Sequence, residues 1–197
     1  MDNYEVSRDR AQRYFLGFDQ EKLLNTWHLR HNDAFIYTDF LGQGYRICRT
    51  TGEVFYHKDG KQADFNVVLS IFDLLCHESV KKTVTGRFAP VNSLKGNAAV
   101  GVAADFHTPF AARIDQNPEA FRRACESLGG TPVHMGDIGY RFPVFGDLDV
   151  IFKFYHSDED FPASVTLLWE ENMLQFVYYE TVFYIAGALL RQLGEEM

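Results

Sequence analysis

Val150-Ile151-Phe152-Lys153-Phe154-Tyr155-His156-Ser157-Asp158-Glu159-Asp160-Phe161-Pro162-Ala163-Ser164-Val165-Thr166-Leu167-Leu168-Trp169, residues 150–169, is the stretch that decides the fold. Val150, Phe152, Phe154 and His156 alternate along one face of an extended chain, and Val165, Leu167 and Trp169 do the same in the next run. A period of two is the signature of a strand with one face buried. The acidic connection Ser157 to Pro162 separates the two runs, so they read as an antiparallel pair joined by a solvated link. A Gly-Asp turn, Gly136-Asp137, leads into the aromatic strand. A helix of about residues 178–193 follows the second strand, with Val182, Ile185, Ala186, Leu189 and Leu193 on one stripe. That order predicts an α+β domain whose last helix closes the core.

Towards the N-terminus the period changes to that of helices. Tyr4, Ala11, Tyr14, Phe15 and Phe18 predict an amphipathic first helix, and Asp19 is placed to cap a short second one carrying Leu23, Leu24 and Trp27. Phe35–Phe40, Tyr45–Arg49 and Glu53–His57 then read as a three-stranded meander, punctuated by Leu41-Gly42-Gln43-Gly44, Thr51-Gly52 and Asp59-Gly60. Asp64 is an N-cap for Phe65 to Leu75, which is apolar almost all round and therefore predicts a buried helix. Thr83 to Asp105, rich in small residues, reads as irregular, and Asn117-Pro118 opens a helix that stops at Gly129-Gly130. No repeat or linker divides the chain, so residues 1–197 are expected to form a single domain, a mostly antiparallel sheet packed by helices.

Composition narrows the function classes. With 46% hydrophobic and 15% aromatic residues, including 18 Phe and 10 Tyr, the chain has ample material for a core and needs no cofactor to fold. A formal net charge of -8 repels phosphate backbones, which makes nucleic acid a poor partner. Arg122-Arg123, flanked by Glu119 and Glu126, reads as a solvated helix face. No stretch approaches the roughly 20 apolar residues of a membrane span and the N-terminus lacks a signal-peptide core, so a soluble, cytoplasmic protein with no membrane partner is expected. Cys48, Cys76 and Cys125 are odd in number and far apart, reading as three buried reduced thiols.

Four groups of residues carry chemistry worth weighing. Asn66, Ser70, Asp73 and His77 fall at helical spacing in one polar stripe on the buried helix, a stripe that either meets solvent or lines a cavity. Within it Asp73 and His77, at i and i+4, have the types for an acid–base pair, although an ordinary helix pair worth about 0.3–0.5 kcal/mol has the same spacing. His28 and His31 would sit one turn apart if the second helix ran on, with Asp33 nearby, yet the pattern lacks the Glu of a zinc-protease helix and no metal is expected. Asp137, Asp147, Asp149 and the Asp158-Glu159-Asp160 run offer carboxylates without calcium-loop spacing. Gly42-Gln43-Gly44 and Gly60-Lys61 lack the context of phosphate loops, and neither a nucleophile elbow nor a kinase motif occurs.

The helix around Val67 to Leu75, Phe121 to Gly130 followed by Gly136-Asp137, Pro143, and Asp158-Glu159-Asp160-Phe161-Pro162-Ala163 before Trp169 resemble the family classed as domain of unknown function 3786, of anaerobic bacteria and archaea. Some of its members carry an iron–sulfur segment like that of corrinoid methyl-transfer proteins. The resemblance therefore implies an accessory role in anaerobic one-carbon or corrinoid metabolism. A cluster takes about four cysteine ligands, and three scattered cysteines do not provide them. The expected function is a binding or accessory protein for an unidentified small molecule or protein partner, without a cofactor, its ligand touching Asn66, Ser70, Asp73, His77 or Asp137. The competing expectations are a hydrolase-like enzyme using Asp73 and His77, and a structural interaction domain.

Overall fold

A computed structural model describes residues 3–77, 83–94 and 108–197. The elements follow the α+β pattern, and all strand pairing among the described residues is antiparallel. The chain divides into two compact units, residues 1–82 with 175–188, and residues 83–174 with 189–197.

In the first unit, α1 (Asn3–Leu16) is followed by α2 (Gln20–Trp27), whose N-cap Asp19 accepts the Lys22 N–H. The meander has the expected strands, β1 (Phe35–Phe40), β2 (Gln43–Cys48) and β3 (Val54–Tyr56). Leu41 and Gly42 join the first two, both at positive φ (49° and 70°), the backbone of a type I′ hairpin turn. Helix α3 (Phe65–Cys76) starts where Asp64 accepts the N–H groups of Asn66 and Val67. It is buried on most sides, as its apolar circumference requires. Phe72 stacks on Phe15 of α1 with ring centroids 4.7 Å apart, and the Trp27 indole N–H donates to the Leu75 carbonyl. The last helix, α7 (Tyr179–Glu196), contributes its residues up to Ala188 to this unit and the remainder to the second.

The second unit is built on five strands in the order β4-β8-β7-β6-β5. The deciding stretch pairs as expected, with Val150 opposite Trp169, Phe152 opposite Leu167 and Phe154 opposite Val165 in β7 (Leu148–Tyr155) and β8 (Ser164–Glu170). Three features depart from the sequence reading. The chain between Gly136-Asp137 and the acidic link is a hairpin of two strands, β6 (Ile138–Phe145) and β7, turning at Gly146-Asp147. Within the segment read as irregular, β4 (Phe88–Pro90) pairs with β8 and α4 (Val91–Leu94) follows it; residues 95–105 of that reading lie outside the described residues. Helix α5 (Thr108–Gln116) precedes the expected α6 (Pro118–Ser127), capped by Asn117.

Phe110 of α5 and Phe121 of α6 pack their rings on Phe152 of β7, so the two helices cover one face of this sheet. At the outer edges, β4 ends in Pro90 and the two-residue β5 (Thr131–Pro132) ends in Pro132. Glu170, 2% exposed, is satisfied by the Thr85 N–H, the Thr85 hydroxyl and the Gly86 N–H, each at 3.0 Å, which is what a buried carboxylate requires. Leu189 and Leu193 of α7 are fully buried. No helix among the described residues is long and apolar enough to cross a membrane.

Candidate functional site

The polar stripe of α3 faces the first half of α7. Asn66 lies against Gly187, where a Cβ would come 3.0 Å from the Asn66 amide nitrogen, and the neighbouring Phe65 ring meets Tyr184 edge-on. Ser70 is fully buried and its hydroxyl donates to the Asn66 carbonyl of its own helix at 2.7 Å. Asp73 Oδ2 accepts the Tyr178 N–H at 2.8 Å, immediately before α7 begins. His77 Nδ1 is 3.4 Å from Asp73 Oδ1 without a hydrogen bond between them, and its ring meets Tyr178 edge-on at 4.7 Å. The two groups therefore face each other without an aligned hydrogen bond.

The histidine pair separates. Helix α2 ends at Trp27 and His28 turns left-handed at φ 50°, so His28 and His31 do not share a helical turn. Among the described residues no three His, Cys, Asp or Glu side chains come together as metal ligands. Asp158 accepts the N–H groups of Asp160 and Phe161, which shapes the exposed acidic link. Asp149 pairs with Arg141 at 3.8 Å, and its carboxyl is pushed above the usual range by burial, with Arg141 opposing and Glu170 adding to the shift. Cys76 and Cys125 are buried as expected, but Cys48 is only half-buried.

Asp137 lines a cleft among the described residues. The loop from β5 to β6 folds back on itself, with the Val133 N–H donating to the Gly139 carbonyl and the Asp137 N–H to the Phe154 carbonyl. Gly136 stands at φ +69°, and a Cβ there would be 2.5 Å from the Phe154 oxygen; at Gly139 it would be 2.5 Å from the Met135 oxygen. Both positions require glycine for the backbone to approach this closely. Between this loop and α6 lies a space of about 270 Å3 lined by Arg122, Pro132, Val133, His134, Asp137 and Ile138, with the two glycines. Arg122 is half-exposed and lies 3.4 Å from Glu119 one turn back. Beside it the Tyr140 phenol is pushed up by burial and by Cys125 and Glu126, with its contact to Arg122 opposing the shift.

Beside Asp137 stands a second Asp–His pair. The His156 N–H donates to Asp137 Oδ2 at 2.8 Å, while His156 Nδ1 is 2.7 Å from Asp115 Oδ1 and the Ser157 hydroxyl donates to Asp115 Oδ2 at 2.6 Å. The Ser157 and His156 contacts hold the Asp115 carboxyl below its ordinary range. Sequence reasoning missed Arg122, Asp115 and His156 as a group. Asp115 is 41 residues from His156, and Arg122 reads as one of two solvated arginines beside acidic neighbours. The visible signal was His156 itself, a titratable side chain on the same strand face as the core residues Phe152 and Phe154.

The model of one family, described as Domain of unknown function (DUF3786), matches residues 19–192 of the chain. No curated protein matches it, and no solved structure does.

Proposed function

The chain belongs to the DUF3786 family, and from that premise we propose that it is a binding protein for a small molecule, held in the cleft between α6 and the β5–β6 loop. The observation that supports this reading is the meeting of Arg122, His134 and Asp137 around one concave space with an apolar wall. Convergent polar groups on a partly apolar concavity are the ordinary form of a ligand site. The polar stripe of α3 is assigned a different role, that of docking α7, because its polar atoms meet Gly187 and Tyr178. The accessory role in anaerobic one-carbon or corrinoid metabolism implied by the resemblance guides the choice of compounds. A corrinoid, much larger than about 270 Å3, would present only an edge to this cleft.

A thermal-shift screen of amino acids, organic acids, phosphates and corrinoids tests the reading on wild type, Asp137→Asn and the double variant Asp73→Asn with His77→Gln. A compound that stabilises wild type and the double variant, but not Asp137→Asn, is the expected result. The opposite pattern would move the site to the α3 stripe and sink the proposal.

One contact favours a second reading, an enzyme with an Asp–His pair. Asp115 and His156 at 2.7 Å have the alignment that Asp73 and His77 lack. Conversion of the bound compound, abolished by His156→Gln while binding persists, would select that reading.

A further inference from the structure

Building on the cleft as a binding site, we infer that its ligand is a small zwitterion, with a carboxylate at one end, an ammonium at the other and a short aliphatic body between them. Arg122 and Asp137 line the same space, so a guanidinium and a carboxylate lie within reach of one small molecule. A simple anion seated there gains Arg122 but meets the like charge of Asp137; a simple cation meets the reverse. A molecule carrying both charges satisfies both, and discrimination against the others comes from repulsion as well as attraction. The planar guanidinium fork matches a carboxylate; Tyr140 also contacts it, and its ion-pair contact, Glu119, is an exposed residue at a loose 3.4 Å that a ligand can displace at little cost.

At the other end, the Asp137 carboxylate is held by the His156 N–H, so it is aimed before a ligand arrives. Pro132, Val133 and Ile138 form the apolar wall. The volume, about 270 Å3, lies below the roughly 300–1,000 Å3 of drug-sized sites. A short amino acid fits within that volume.

Isothermal titration of the full chain with glycine, L-alanine, L-valine and β-alanine, against propionate and propylamine, tests the assignment. At least one amino acid is expected to bind, with propionate and propylamine at least about tenfold weaker. Arg122→Gln and Asp137→Asn are each expected to weaken the amino acid at least about tenfold. Asn keeps an oxygen for the His156 N–H, and a thermal melt of each variant checks that it is folded. If no amino acid binds, if propionate or propylamine binds as tightly, or if Asp137→Asn leaves affinity unchanged, the zwitterion assignment is overturned. The cleft reading fails separately, when no compound of the wider screen depends on Asp137.

Discussion

The Asp73 carboxylate serves the first turn of α7 from another element: its Oδ2 accepts the N–H of Tyr178, 105 residues away in sequence. A helix start leaves N–H groups without internal partners and carries the positive end of the helix dipole, so an anion there stabilises it. Asp73→Ala removes acceptor and charge together and should cost about 1–2 kcal/mol, whereas Asp73→Asn, which keeps the acceptor, should cost less than half of that. Urea denaturation of the three proteins measures both. Equal midpoints for wild type and Asp73→Ala would mean that the contact contributes nothing.

Cys48 should be the reactive thiol of this chain. Burial pushes it up, but hydrogen bonds from the side chains and backbone of Thr50 and Thr51 outweigh that and bring it down to about 7. Cys125 moves the other way, pushed up by burial and by Glu126, and Cys76 is 1% exposed. Iodoacetamide on the folded protein should therefore label Cys48 first, with a rate rising through about pH 7 as the thiolate forms. Peptide mapping by mass spectrometry gives the site and the rate. The double change Thr50→Val and Thr51→Val should move the midpoint upward, and labelling of Cys125 at a comparable rate would contradict the assignment.

Asp115 predicts an acid-sensitive contribution to stability. Its carboxyl is held below the ordinary range by the Ser157 hydroxyl and the His156 ring. A carboxyl with a depressed folded-state pKa stabilises fully above its unfolded value of about 3.9 and loses that contribution as pH falls through the folded value. Asp115→Asn should thus be less stable than wild type at about pH 7, with the gap closing below about pH 4. Thermal melts across that range decide it; a gap of constant size would show that ionisation of Asp115 plays no part.

Local signals made most of the architecture legible. Asp64 and Asn117 cap the helices they were expected to cap, and the alternation around Phe152 and Leu167 marks the two strands and their buried faces, which pair antiparallel. The β6–β7 hairpin was hidden because the apolar run continues on both sides of Gly146-Asp147, where only a two-residue turn interrupts it. Strand β4 has three residues, too few for a period to show. Spacing could collect Asn66, Ser70, Asp73 and His77 on one face, but it could not say that Gly187 and Tyr178 would meet that face. Asp137 was legible from its turn, whereas its partner across the cleft, Arg122, is brought there only by the packing of α6.

The two outermost strands of the five-stranded sheet also bear on how the protein behaves in company. β4 and β5 are three and two residues long, and each ends in a proline, Pro90 and Pro132. Proline offers no N–H to an incoming strand, and so short a rim gives little template for one. Fibril growth by strand addition to these borders is disfavoured even at high concentration.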